Sequence, residues 1–477
     1  MSNVLVLGVG PLPIDPTERL HAPGIRVWHL ANVIYRQGHS VVLGIIEFGD
    51  FRDNPEAASR PRQESVGDRF SVCRFHYHSQ RTPTAIATLH ERCKFHCIVS
   101  TTDIMNDAAA RVPVRLPLWL DYLGDPLCER QLQAATFDND ASLLDLWRVM
   151  LEALLHGDHF SVASTPQKYT LIGQLGLAGR LNQFTAAHDL VSVIPNSARG
   201  ILGQSGAQRR LIKGFLIPAE SFLLLWAGGY NTWTDPETLF HGLELAMRRD
   251  ADIYFVSVGG EIPGHDNVTF KRFREMCEAS DLRSHFVFIG WVPPSEMPNY
   301  YMQADAAINI DLPCYEAEIG TRTRLVDWID YEIPVVTTAL CEPAKILAER
   351  KLVESFEPAS PKSLADALVR LKEHHEEAKV RAQKARTFLD ELFDEKRDFA
   401  PLLEWVANPT LAPDRRVSDP GVASRSLDVL FPDCEVAYKN AELLRRFCGV
   451  AGRKGGPSAT TSFWQRVKRR FWGRHNN

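Results

Sequence analysis

The densest run of chemically useful side chains in the sequence lies between residues 311 and 327. Asp311, Glu316 and Glu318 precede Gly320, and Thr321, Arg322, Thr323, Arg324 and Asp327 follow it. An apolar run, Ala306–Ile310, leads into the segment, and a helical pattern begins within it. A helix start offers unpaired N–H groups and the positive end of a dipole, and arginine adds a fork of donors. That combination suits a diphosphate. Thr321 and Thr323 can cap the helix, and Asp327, one to two turns further on, can accept hydrogen bonds from ribose hydroxyls. The same residues admit a plainer reading, in which Arg322 and Arg324 pair with Glu316, Glu318 and Asp327 as a solvated charge cluster.

Two other loops carry similar possibilities. Gly228-Gly229-Tyr230-Asn231-Thr232-Trp233-Thr234-Asp235-Pro236 closes the apolar run Phe222–Trp226. Asp235 is a good N-cap and Pro236 a good first residue for the helical period Glu237–Arg248. Capping accounts for Gly229, Asp235 and Pro236. It does not account for Tyr230 and Trp233, whose rings can stack on a base or a sugar. The third loop is Gly8-Val9-Gly10-Pro11, with Gly24 at the next helix start. Small residues there let backbone N–H groups approach an anion. The third glycine of a dinucleotide fingerprint is missing, and Pro11 and Pro13 interrupt the turn. Glu47 lies near the end of the second strand without a clear ribose-binding position, so a nicotinamide oxidoreductase is a rival but not the favoured reading.

The elements that position these loops follow one grammar, apolar strands alternating with helical periods. Val4–Leu7, Ser40–Ile46, Phe70–His78, Ile98–Ser100, Leu116–Leu120, Phe160–Ala163 and Val191–Ile194 read as strands, with helices at Ile25–Gln37 and Ser142–His156. The pattern lapses around Asn196–Pro218 and restarts with Phe222–Trp226, Ile253–Val258, Phe286–Ile289, Ala306–Ile310 and Val335–Thr337. The expected fold class is α/β, with two Rossmann-like parallel-sheet domains facing each other across a cleft. The expected boundaries are 1–200 and 201–400, then an extension and linker at 401–461 and a basic amphipathic tail at 462–477. Lys362–Lys396 reads as charged helix, with further helices near Glu435–Phe447 and Ser462–Arg474. Ligands of open α/β sheets bind beyond the carboxyl ends of the strands, which is where all three loops fall.

Composition narrows the class. A chain of 477 residues with 45% hydrophobic and 24% charged content has the material for two or three ordinary cores. The net charge of -5 does not suit a nucleic-acid binder. Residues 452–477 carry seven basic residues and no acid, so the preceding chain stands at -12. Nine scattered cysteines fit a reduced compartment. Cys73, His76, His78, Cys93, His96 and Cys97 cluster, but strand alternation favours buried thiols over a metal site, and no metal is expected. No apolar run approaches the roughly 20 residues of a membrane span, and the N-terminus reads as a strand, not a signal peptide.

The motifs together resemble glycosyltransferase family 4, the retaining enzymes of the GT-B fold, over most of residues 1–400. Pro23–Leu30 and Arg36–Val41 are similar to the family's glycine loop, helix and second strand. Val193-Ile194-Pro195-Asn196 is similar to the end of its first domain. Phe288–Val292, Tyr300-Tyr301, Ala304-Asp305 and Ile333–Thr338 are similar to the runs that frame its donor site. The resemblance implies transfer of a hexosyl unit from a nucleotide-diphosphate sugar to a carbohydrate or lipid-linked acceptor hydroxyl. It implies retention at the anomeric carbon and no metal or other cofactor. Bacterial-type cell-surface polysaccharide or glycolipid synthesis is the matching setting. The second domain binds donor and the first binds acceptor.

Three departures from the family pattern bear on the site. The family sets two acids eight residues apart. The second falls on Asp327, but the first falls on Ile319, so the resemblance assigns the sugar or phosphate contact to Glu318 with Glu316 in reserve. The family's Arg and Lys after the first donor-domain strand are missing from Gly229–Thr234, which makes Arg322 and Arg324 their substitutes. Where the family often has a histidine, Asp121 and Asp125 stand, either to orient the acceptor or sugar or to act as cap and turn residues. Gly10, Gly24, Gly229, Tyr230, Trp233, Glu316, Gly320, Thr321, Thr323 and Asp327 complete the binding set, with Glu318, Arg322, Arg324, Asp121 and Asp125 as catalytic candidates. The alternatives are a sugar-nucleotide epimerase or hydrolase of the same fold and a non-catalytic GT-B-like partner protein. In the tail, Phe463, Trp464, Val467 and Phe471 share a helical face beside basic residues, the composition of an interfacial helix. The expected location is cytoplasmic, with residues 462–477 held at an anionic inner membrane surface.

Overall fold

A computed structural model describes residues 1–15, 19–47, 62–77, 81–197 and 210–416. His78, the expected helices near 435–447 and 462–474, and the basic tail lie outside the described residues.

The first sheet has eight strands: β1 (Asn3–Val9), β2 (Ser40–Glu47), β3 (Arg62–Gly67), β4 (Phe70–His76), β5 (Cys97–Thr101), β6 (Leu118–Tyr122), β7 (His159–Val162) and β8 (Val191–Val193). Their order is β3-β4-β2-β1-β5-β6-β7-β8. All pairings are parallel except β3 with β4. The second sheet holds β9 (Phe222–Ala227), β10 (Ile253–Val258), β11 (Phe286–Gly290), β12 (Ala306–Asn309), β13 (Val335–Thr337) and β14 (Glu354–Ser355). It runs β11-β10-β9-β12-β13-β14 and is parallel throughout. Helices cover both faces of each sheet, which is why Val4–Leu7 and Leu223–Leu225 are fully buried. Strand order reverses at β1/β5 in the first sheet and at β9/β12 in the second. Crevices open at such switch points, beyond the strand ends. The glycine loop after β1, the glycine pair after β9 and the acidic loop after β12 all lie there.

Ile253–Val258 and Val335–Thr337 form as the alternation predicts, and most other strands shift by one or two residues. The edge strand β3 carries Arg-Gln-Glu-Ser-Val-Gly, largely exposed. It leaves no apolar signal to read. The stretch Lys362–Lys396 divides into helices Pro361–Glu373 and His375–Leu392 and the start of Glu395–Ala407. The last of these crosses back. Its Phe399, Leu402 and Val406 are buried with Val4, Val27 and Ile45 of the first domain. Glu395 is held there by Arg36 Nη2 at 2.8 Å and His29 Nε2 at 3.0 Å. Beyond it, Arg180 pairs with Asp414 and Arg415 with Asp158. The boundary expected at residue 400 therefore falls inside a helix that packs on the first domain.

Candidate active site

The loop after β12 folds around Arg322. This side chain is 5% exposed. Its Nε donates to Asp311 Oδ1 at 2.9 Å, and Nη1 and Nη2 donate to Glu316 Oε1 and Oε2 at 3.1 and 2.7 Å. A further bond from Nη1 reaches the Thr321 carbonyl at 3.0 Å. Gly320 makes the arrangement possible, because a Cβ there would sit 2.7 Å from Glu316 Oε1. Burial pushes the Glu316 carboxyl up to about 7 against the pull of Arg322. Arg322 is thus paired with acids, but the cluster is buried and not solvated, and its members are Asp311 and Glu316, not Glu318 or Asp327. Glu318 is exposed on the short helix Tyr315–Ile319.

Arg324 has a different environment. Its Nη2 donates to the Gly229 carbonyl at 2.8 Å, and its guanidinium lies 4.4 Å above the Trp226 ring. Its Nη1 is buried without a partner among the described residues. Burial pulls its pKa down to about 10; Asp311 opposes that shift and the like charge of Arg322 adds to it. The guanidinium stands at the start of helix Thr323–Asp330, whose N-cap is Arg322 and which has no side-chain cap. Neither Thr321 nor Thr323 caps it. Instead, Thr321 Oγ1 accepts from Asn196 Nδ2 of the first domain at 3.0 Å. Asp327 is 9% exposed, and no donor among the described residues reaches its carboxylate. Burial pushes it up to about 7; Asp330 adds and Arg324 opposes.

The glycine pair after β9 brings Trp233 but not Tyr230 to the cleft. Trp233 is partly exposed, with Arg322 over its ring at 5.2 Å, and its carbonyl accepts from Leu312 N at 2.7 Å. Tyr230 turns into the core, stacks on Trp226 at 4.5 Å and shares a 2.9 Å hydrogen bond with Ser257. Apolar neighbours on three sides draw it inward, so it does not present the ring face that the sequence leads one to expect. A Cβ at Gly229 would meet the Ile262 side chain at 2.4 Å. In the first domain, a Cβ at Gly24 would fall 1.8 Å from the Pro11 carbonyl oxygen, which closes the loop onto its helix. Gly10 has Ile45 3.1 Å from the equivalent point.

The two acids of the acceptor-side loop are engaged within their own domain. Asp121 is fully buried and accepts from Arg26 Nε and Nη2 at 3.0 and 2.7 Å, and from Ser161 Oγ at 2.6 Å. Asp125 caps helix Pro126–Phe137 through Cys128 N at 2.9 Å and accepts from Gln174 Nε2 at 3.0 Å. What reaches across the cleft is a set that sequence spacing does not disclose. Ser164 Oγ donates to the Ile319 carbonyl at 2.5 Å, and Thr165 N donates to Glu342 Oε2 at 2.9 Å. The rings of His21 and Trp291 meet edge-on at 5.2 Å. Glu129 Oε1 lies 3.4 Å from His265 Nδ1, and burial pushes Glu129 up to about 7. These partners are far apart in sequence and meet only through domain closure. Among the described residues, no group of three or more His, Cys, Asp or Glu could hold a metal ion.

Solved structures share this architecture. Sucrose-phosphate synthase from Thermosynechococcus elongatus is 15% identical over 85% of this chain and 98% of its own, with a TM-score of 0.64. An alpha,alpha-trehalose-phosphate synthase (UDP-forming) from Burkholderia vietnamiensis is 11% identical over 85% and 100%, with a TM-score of 0.60. Anabaena HepE in complex with UDP is 15% identical over 85% and 100%, with a TM-score of 0.58. No curated protein sequence matches the chain. The two facing parallel-sheet domains form the GT-B fold of glycosyltransferases. Within it, residues 221–374, the domain that carries Arg324 and Asp327, match the family model described as Glycosyl transferases group 1.

Proposed function

We propose that the protein is a retaining glycosyltransferase of the family 4 type, moving a hexosyl unit from a nucleotide-diphosphate sugar to an acceptor hydroxyl without a metal. The observation that carries this reading is Arg324, a buried cation with an unpartnered Nη1 at an uncapped helix start. An unpaired buried donor is costly, and a diphosphate oxygen satisfies it. Arg324 and the N–H groups of Thr323 and Arg324 hold the diphosphate. Asp327, ionised, accepts from the ribose hydroxyls. The acceptor oxygen bonds to the anomeric carbon as the bond from that carbon to the phosphate oxygen breaks on the same face. The hydroxyl proton passes to the leaving phosphate, so no side-chain base is needed. Arg324 stabilises the charge that grows on this leaving group. The complex of HepE with UDP makes UDP the first nucleotide to try.

The test is calorimetric titration with UDP, followed by assay of nucleotide release from UDP-sugars with and without acceptors. Release that requires an acceptor, with the starting anomer kept in the product by NMR, supports the reading. Release without any acceptor selects a hydrolase. The engagement of Arg322 by two acids, and the lack of any cation in Gly229–Thr234, favour a second reading as a non-catalytic nucleotide-binding partner. Tight UDP binding without turnover on any donor selects that one.

A further inference from the structure

We propose that Asn196 is a positioning residue for the turn that carries the donor-site arginines, and that it holds this turn in shape only while the two domains are closed. The inference rests on the glycosyltransferase reading, and it names a side chain that acts through Thr321 and not on the substrate.

Asn196 follows β8, in the segment by which the chain leaves the first domain, and it is 7% exposed. Its Nδ2 donates twice, to the Leu123 carbonyl at 2.9 Å in its own domain and to Thr321 Oγ1 at 3.0 Å in the second. Both amide protons are therefore used, one for each domain. Thr321 is held again through its backbone, because its carbonyl accepts from Arg322 Nη1 at 3.0 Å. On the other side of Gly320, the Ile319 carbonyl accepts from Ser164 Oγ at 2.5 Å. Ser164 is fully buried and also caps helix Thr165–Leu177, accepting from Gln167 N at 3.1 Å. The first domain thus grips the turn on both sides of its glycine, immediately before the helix start at Thr323.

The gripping side is firmly built. The carbonyl of Pro195, the residue before Asn196, accepts from Arg26 Nη1 at 3.1 Å. Asp121 holds the other two nitrogens of that guanidinium and accepts from Ser161 Oγ, which in turn accepts from Trp119 Nε1 at 2.8 Å. Arg26, Asp121, Ser161 and Trp119 are all 3% exposed or less. The bond from Thr165 N to Glu342 Oε2 also crosses the seam, but it is exposed, and water competes for it. The contacts from Asn196 and Ser164 are the shielded ones. Opening the cleft breaks both and frees the turn, so the placement of Arg322, Arg324 and the helix start belongs to the closed form. A misplacement of about 1 Å at such a site costs about 10²-fold in rate.

The experiment is hydrogen exchange and steady-state kinetics on the full chain, with UDP-sugars as donors, for Asn196→Ala, Thr321→Val and the double variant. In each single variant, exchange across residues 316–324 is expected to rise about ten-fold or more, while β9, β10 and β12 keep their protection. The kcat is expected to fall about ten-fold or more, with the donor KM within about three-fold of the parent. The double variant should be no worse than either single one, because the two residues act through one bond. Thr321→Ser keeps the accepting hydroxyl and should restore both exchange and kcat. A merely structural Asn196, serving only the Leu123 carbonyl, would leave Thr321→Val silent. The proposal is overturned if exchange at 316–324 is unchanged in Asn196→Ala, if Thr321→Val behaves as the parent, or if the two effects multiply in the double variant. Absence of turnover on every donor counts against the glycosyltransferase reading instead, and the exchange data still decide the role of Asn196.

Discussion

Arg324 Nη2 donates to the carbonyl oxygen of Gly229 at 2.8 Å, bridging two loops 95 residues apart in sequence. The contact puts a cation at the glycine turn after β9, where the loop itself supplies none. Arg322, two residues earlier, is instead enclosed by Asp311 and Glu316. The two arginines therefore fail differently when removed. Arg324→Ala is expected to keep the fold and lower turnover by about 10²–10³, the loss seen when one donor to a developing oxyanion is deleted. Arg324→Lys recovers part of this, because lysine restores charge but not the fork. Arg322→Ala leaves two buried carboxylates unpaired and is expected to cost roughly 3–5 kcal/mol of stability. Thermal melts beside steady-state kinetics separate the two. Equal loss of stability in both variants would contradict the division of roles.

This asymmetry also marks the limit of what the sequence discloses. Strand–helix alternation and the restart of the pattern after Pro218 are local signals, and they place the parallel strands within a residue or two. The glycines before Tyr230 and Arg322 mark sharp turns that can be read directly. Which arginine is neutralised cannot be read, because Arg322 and Arg324 stand on either side of Thr323, equally near the acids in sequence, and differ in the side of the helix start they occupy. Tyr230 and Trp233 pose the same problem, since one faces the core and the other the cleft. Glu129 and His265 meet only because two domains close, and no periodicity within either domain encodes that contact.

Asp327 ties donor binding to pH. Burial pushes its carboxyl up to about 7 in the folded protein, against about 3.9 for an unfolded aspartate. A ribose hydroxyl donates best to the ionised form, so nucleotide affinity is expected to rise between pH 6 and 8. In Asp327→Asn that rise is expected to disappear. Stability runs the other way. With the folded pKa raised, the unfolded state releases the proton first, and Asp327 destabilises the fold increasingly between about pH 4 and 7. Asp327→Asn should therefore melt with the parent protein at pH 4 and above it at pH 8. A pH-independent difference in melting temperature rejects this account.

We also expect the basic tail to act as a membrane contact. In the sequence pattern, Lys468 and Arg470 flank the apolar stripe Phe463, Trp464, Val467 and Phe471, and Arg466 and Arg469 lie off that face. Each basic residue near an anionic leaflet adds about 1 kcal/mol, so several are needed together with the stripe. The chain should float with vesicles rich in phosphatidylglycerol, and not with purely zwitterionic ones. Deleting residues 462–477 should abolish flotation and leave UDP binding intact. Flotation that survives the deletion assigns the membrane contact elsewhere.

The return of the chain to the first domain is secured by Arg180 and Asp414. Both are almost fully buried, and Nε to Oδ2 and Nη2 to Oδ1 are 2.7 and 3.1 Å. Arg180 Nη1 also donates to the carbonyls of Leu154 and Gly157 at 2.5 and 2.8 Å. Asp158 completes the lock, accepting from Ala412 N at 2.7 Å and from Arg415 Nη1 at 2.6 Å. Asp414→Ala strands a buried guanidinium, so a loss of roughly 3–5 kcal/mol is expected in chemical denaturation. Arg180→Met with Asp414→Leu removes both charges and should be far milder than either single charge deletion, since paired desolvation costs vanish with the pair. Hydrogen exchange should show the damage of the single variant concentrated in helices Ala141–His156 and Thr165–Leu177, which the Arg180 bonds flank. The second domain shares none of these contacts, so its protection should not change. Uniform loss of protection across both sheets would show that the lock supports the whole molecule and not the first domain alone.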